Sequence, residues 1–176
     1  KQAIEVFSNI FPLLYATVEI PEITFLHPEE FIFEGPPEKA KGRSCGKEAL
    51  PAELRIVDEQ GNDVLPGQVG EIIARGNHMM AGYWKAPKAT EEAIRGGYFY
   101  TGDLGTMDEG GYLYLIGRKK DVITSQGKLI SPSEVEDIIY RHPSVLEAAV
   151  IGVPDEQLGE AVKAIIVLKP GAKATT

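Results

Sequence analysis

The chain has 176 residues, enough for one ordinary domain or pieces of two small ones, and its 43% hydrophobic and 25% charged composition is that of a globular protein. A net charge of -8 lacks the basic face that a nucleic-acid backbone requires, so nucleic acid is excluded as the main partner. The single cysteine, Cys45, excludes a disulfide framework and a thiolate metal cluster, and no apolar run approaches the roughly 20 residues that span a bilayer.

A reducing, cytoplasmic setting is therefore expected, with no signal peptide at the amino terminus. His27, His78 and His142 are scattered without metal-ligand spacing and read as surface or turn residues. The chain begins without Met inside an apolar segment and stops soon after a strand-like run, so both ends read as those of a fragment.

Residues 1–14 carry Ile4, Val6, Phe7, Ile10, Phe11 and Leu13, a pattern that predicts a short buried helix running into a strand. Residues 20–50, rich in Pro, Glu and Gly, predict an irregular connection with one short strand at Ile23–Leu26. From Glu53 the pattern sharpens. Leu54, Ile56 and Val57 precede the turn Asp58–Asp63, and Gly70–Gly76 follows Pro66-Gly67, as in a hairpin.

Pro87 to Arg95 predicts a brief helix, with Pro in its first turn and Gly96-Gly97 beyond its end. Tyr98–Thr101 should then be a strand entering a turn at Asp103, and Tyr112–Ile116 a second strand that delivers Arg118. These pieces predict a small, mostly antiparallel β-barrel or sheet.

After Gly117 the character changes. Asp121–Ile123 and Leu129-Ile130 flank Ser125-Gln126-Gly127-Lys128, a compact hairpin with Gly at its tip. Ser131-Pro132-Ser133-Glu134 reads as a capping box, and Val135, Ile138 and Ile139 as the apolar face of the helix it starts; His142-Pro143 stops that helix. Ala148–Val153 and Ala161–Leu168 are apolar runs suited to strands beneath it. The whole is α+β: residues 1–116 end a larger domain, and 117–176 begin a small α+β domain joined at a hinge near 117–120.

By itself Thr101-Gly102-Asp103 is a turn triplet and Arg118-Lys119-Lys120-Asp121 a solvated charge run. A nucleotide site asks for more specific chemistry. An ionised carboxylate only accepts, so Asp103 suits a vicinal diol whose two hydroxyls donate, while Gly102 and Gly105 let backbone and ligand approach. Arg118 offers a fixed fork of donors for ribose oxygens or a phosphate. Together they point to a polyhydroxylated, phosphorylated ligand, read here as AMP.

With these residues laid out, the chain resembles the acyl-adenylate-forming family, the AMP-dependent acyl-CoA synthetases and ligases. Gly70-Glu71-Ile72 with Met79-Met80-Ala81-Gly82-Tyr83-Trp84 is similar to one family motif and Tyr100-Thr101-Gly102-Asp103 to the next. Gly117-Arg118-Lys119-Lys120-Asp121-Val122-Ile123, with Gly127, Ile130, Pro132, Glu134, Val135 and Glu136, is similar to a third.

The resemblance implies that ATP and a carboxylic acid, fatty or aryl, give acyl-AMP, and that a thiol, usually of coenzyme A, then displaces AMP. It places Asp103 on the ribose hydroxyls, Arg118 on the ribose or α-phosphate, and Lys120 at the family's hinge. Ser125, Gln126 and Gly127 would lie on the hairpin that serves thioester formation, Gly127 leaving room for pantetheine. Tyr15-Ala16-Thr17-Val18-Glu19 resembles the family's Tyr-Gly-x-Thr-Glu segment, in which Tyr15 would pack on adenine and Glu19 would hold Mg²⁺.

Two positions depart from that segment: Ala16 stands for Gly and Val18 for Thr, which removes a hydroxyl donor to phosphate. Tyr98 replaces a family Trp. The family's phosphate loop lies upstream of residue 1 and its adenylation lysine past Thr176, so the 176 residues alone are expected to be inactive. A carrier-protein-loading adenylation domain and a non-catalytic nucleotide-binding relative are the alternatives.

Overall fold

The computed structural model describes residues 10–36 and 40–173, together with Val6. The helix expected near the amino terminus falls mostly outside these residues. The chain divides into two compact units, 1–115 and 116–176.

In the first unit, β1 (Leu13–Tyr15), β2 (Thr24–Leu26) and β3 (Lys47–Glu48) form an antiparallel sheet in that order. The short strand expected at Ile23–Leu26 is β2. A second antiparallel sheet contains β4 (Ala52–Val57), β5 (Gly70–Gly76), β6 (Ile94–Arg95) and β7 (Tyr98–Met107), ordered β4-β5-β7-β6, with β8 (Leu113–Arg118) also on β7.

Among the described residues these sheets are open and no closed barrel forms, which resolves the barrel-or-sheet expectation. A two-residue β6 is too short to return to β4. The helix α1 (Pro87–Ala93) ends two residues earlier than the pattern predicts, because Ile94 leaves helical dihedrals to pair with Phe99.

Alternation along β4 turns Ala52, Leu54 and Ile56 inward, where Leu54 and Ile56 join Ile20, Ile23, Ile72, Ala74, Phe99 and Leu113 in the core. Each fully buried Ile or Leu contributes roughly 1.5–3 kcal/mol, so this cluster is the main adhesive between the sheets. A polar clamp adds to it. The buried Lys41 ammonium pairs with Asp108 and lies 4.7 Å from the centre of the Tyr112 ring, and the Tyr112 hydroxyl donates to Glu30 at 2.5 Å. That bond to Glu30, helped by desolvation, pushes the Tyr112 hydroxyl up to about 12.

In the second unit, β9 (Ile123–Ser125), β10 (Lys128–Ile130), β11 (Val145–Asp155) and β12 (Gly159–Leu168) form a sheet ordered β10-β9-β12-β11. The helix α2 (Pro132–Tyr140) packs on β11, and the Glu136 carboxylate accepts the Val150 N–H at 2.8 Å. Val135 and Ile139 are half-buried beside Glu136, but Ile138 is 65% exposed, so the expected apolar face is narrower by one residue.

The expected capping box is not made. Ser131 occupies the cap position with Pro132 following, yet its hydroxyl pairs with that of Ser133 at 2.9 Å and bonds no helix amide.

Candidate functional site

Asp103 lies within β7, not in the turn that the glycines suggested. Gly70 pairs with Gly105 and Glu71 with Leu104, but Ile73 pairs with Tyr100, so β7 carries extra residues between Tyr100 and Leu104 and bulges there. Gly102 takes φ +71 at the bulge, a conformation that costs glycine little. The Thr101 hydroxyl donates to the Ile72 carbonyl at 2.8 Å and accepts the Asp103 N–H at 3.1 Å, tying the bulge to β5.

The bulge aims Asp103 at Tyr15. The Tyr15 hydroxyl donates to Asp103 Oδ2 at 2.7 Å, and the two residues are 8% and 7% exposed. Burial first, then the bond to Asp103 and its charge, raise the Tyr15 hydroxyl above the ordinary tyrosine range, so it stays a donor at neutral pH. Its ring belongs to the core, and the hydroxyl is the part that reaches the carboxylate.

Glu19 sits within a tight loop closed between Thr17 and Ile20. Thr17 N–H donates to the Ile20 carbonyl and Ile20 N–H to Thr17 Oγ1, both at 3.1 Å, leaving Val18 98% exposed at the apex. Glu19 Oε1 accepts the Tyr83 hydroxyl at 2.8 Å, and its backbone carbonyl accepts the Met80 N–H at 2.7 Å. Sequence reasoning missed Tyr83 and Thr101 as partners of the acidic residues. The only signal was their place inside glycine-bearing motifs.

Arg118 ends β8, and its carbonyl accepts the N–H groups of Asp121 and Val122, both at 2.9 Å, closing the turn that holds Lys120. Within the second unit, Arg118, Lys120, Asp121, Ser131, Glu136 and Glu160 line one cleft of about 550 Å³. The β9–β10 hairpin turns on Gln126 at φ +50 and Gly127 at φ +72, the two left-handed residues of a type I′ turn. Nothing lies within 4 Å of the place where a Gly127 side chain would start.

Cys45 is half-buried, and burial raises its thiol. That fits a packing residue. Among the described residues no group of three or more His, Cys, Asp or Glu could hold a metal, and no helix is long and apolar enough to cross a membrane.

The family model of the AMP-binding enzymes matches residues 17–84, and that of the AMP-binding enzyme C-terminal domain matches 134–176. The chain belongs to the adenylate-forming AMP-binding enzymes.

Among members of that family, the medium/long-chain-fatty-acid–CoA ligase FadD8 of Mycobacterium tuberculosis is 37% identical over 171 residues, 97% of this chain and 29% of the relative. Among solved structures, o-succinylbenzoate CoA synthetase (MenE) of Bacillus subtilis, in complex with its acyl-adenylate intermediate, superposes with a TM-score of 0.84 at 32% identity. That match covers 98% of this chain and 34% of that one. The amide bond synthetase McbA of Marinactinospora thermotolerans gives 0.80 at 34% identity, covering 98% of this chain and 35% of that one. The chain thus spans about a third or less of the length of these AMP-binding enzymes.

Proposed function

We propose that the protein carrying this chain is an ATP-dependent acid–thiol ligase of the cytoplasm, activating a fatty or aryl carboxylic acid as acyl-AMP and transferring the acyl group to coenzyme A. The observation that carries this reading is the Asp103 carboxylate, buried on a glycine bulge and fixed by the Tyr15 hydroxyl in a chain of the adenylate-forming family. A fixed acceptor beside a positive-φ glycine suits a ribose diol.

In this reading Asp103 holds the ribose hydroxyls, Tyr15 packs on adenine while its hydroxyl fixes Asp103, and Arg118 binds the ribose or α-phosphate. Lys120 lies at a hinge near 117–120, between the end of a large domain, 1–116, and the start of a small one, 117–176. Ser125, Gln126 and Gly127 serve thioester formation, and the open space around Gly127 supports pantetheine passing there.

Glu19 fits Mg²⁺ chemically: it is a hard oxygen donor, no cluster of three or more potential ligands stands among the described residues, and Mg²⁺ usually takes one or two carboxylates plus substrate phosphates. When bound, the ion would neutralise charge on the phosphates, and Glu19 would be the residue that holds it.

The exposed, hydroxyl-free Val18 supports a second reading, a nucleotide-binding relative without adenylation activity. Pyrophosphate exchange by the intact protein against a panel of fatty and aryl acids separates the two. Acid-dependent exchange supports the ligase, and none with any acid supports the relative.

The 176 residues alone should bind AMP more weakly than about 1 mM, since two or three hydrogen bonds of roughly 0.5–1.5 kcal/mol each do not reach the ~4 kcal/mol that such affinity needs. Calorimetry giving micromolar binding would contradict the assignment of the remaining contacts to residues outside the chain.

A further inference from the structure

We propose that Tyr83 is a positioning residue for the divalent cation that accompanies the nucleotide, fixing the Glu19 carboxylate through its hydroxyl. The inference rests on the metal role given to Glu19 above and assigns the Ala81-Gly82-Tyr83 motif a purpose in that role.

Glu19 is held twice by one short segment. Met80 N–H binds its backbone carbonyl at 2.7 Å and the Tyr83 hydroxyl binds Oε1 at 2.8 Å. A glutamate side chain has several torsions with which to miss a cation, and a donor on one carboxylate oxygen restricts them.

The segment is itself anchored. Tyr83 N–H donates to Thr90 Oγ1 at 2.9 Å, and the Thr90 hydroxyl donates to the Ala86 carbonyl at 3.1 Å, so α1 holds the tyrosine's backbone. Gly82 takes φ +147, and a Cβ there would stand 2.8 Å from Thr90 Cγ2. Only glycine lets the chain pass Thr90 closely enough to present Tyr83 to Glu19. The relay runs Thr90 to Tyr83 to Glu19. Tyr83 is 37% exposed, and a hydrogen bond at such a surface contributes little to stability, so a structural role predicts almost no effect of losing it. A positioning role predicts weaker metal binding.

The test uses the intact protein as wild type, Tyr83→Phe, Glu19→Gln and the double variant. Mn²⁺ is titrated into ATP-saturated protein and followed by electron paramagnetic resonance, while AMP affinity is measured by calorimetry in EDTA and folding by thermal unfolding. Tyr83→Phe should weaken Mn²⁺ binding about three- to tenfold, leave AMP affinity in EDTA and the melting temperature unchanged, and add nothing to Glu19→Gln. If Glu19→Gln weakens Mn²⁺ binding and Tyr83→Phe does not, the Tyr83 inference alone fails. If Glu19→Gln has no effect, the metal role of Glu19 fails and this inference with it. Equal loss of AMP affinity in EDTA would make Tyr83 a general structural residue and overturn the proposal.

Discussion

The Tyr15 hydroxyl and the Asp103 carboxylate, far apart in the chain, meet at 2.7 Å in a setting where both side chains are almost fully buried. A carboxylate needs donors in such a place, because a buried charge without them costs several kcal/mol. The tyrosine is thus part of what allows Asp103 to present an acceptor to a ligand.

Tyr15→Phe keeps the ring and removes that donor. Losing a hydrogen bond to a buried charged group costs about 1.5–3 kcal/mol, so AMP affinity of the intact protein should fall about tenfold or more. Equilibrium binding of AMP checks this, with thermal unfolding as the control for folding. Unchanged affinity would show that Asp103 is oriented without Tyr15.

Asp103→Ala removes the proposed ribose acceptor itself. The intact enzyme should need far more ATP, with KM for ATP rising at least tenfold, while KM for coenzyme A changes little. Steady-state kinetics with each substrate varied in turn decides it, and equal changes in both constants would argue for a merely structural aspartate.

Gly127→Leu adds bulk into open space at φ +72, where a Cβ is strained, on a hairpin remote in sequence from Asp103. Thioester formation should slow by at least an order of magnitude while single-turnover formation of acyl-AMP is spared. Equal loss of both steps would refute the assignment of the hairpin to the second half-reaction.

The Lys41–Asp108 pair sets a pH dependence of stability. Burial would raise the Asp108 carboxyl, but hydrogen bonds from Lys41 and the Tyr112 N–H outweigh it and hold the group below the usual aspartate range. A carboxyl lowered in the folded state stabilises above its unfolded value of about 4 and loses that contribution as pH falls through the folded value. At pH 7 Asp108→Asn should therefore be about 1–3 kcal/mol less stable than wild type, and the gap should close below about pH 4. Urea unfolding across pH measures it. A gap that persists at low pH would assign the loss to packing.

Much of the layout was legible because local chemistry dictates it. Proline at the first turn started both helices, and paired positive-φ residues closed the β9–β10 hairpin at Gln126-Gly127. Where neighbours compete, the sequence misled. Ser131 has the right chemistry for a cap but finds Ser133 first, Ile94 gives up its helical place to pair with Phe99, and Ile138 stays 65% exposed.

The sequence by itself determined most of the longer strands, both described α-helices, the three glycine-bearing motifs and the resemblance they carry, since these depend on residue type and spacing along the chain; the two-residue strands Lys47–Glu48 and Ile94–Arg95 it did not show. Tertiary structure alone decided that Asp103 stands on a strand bulge and that tyrosines 15 and 83 each hold one of the two acidic candidates. Those contacts join residues 88 and 64 positions apart. No local preference encodes a hydrogen bond between groups that meet only after two sheets have packed around a shared core.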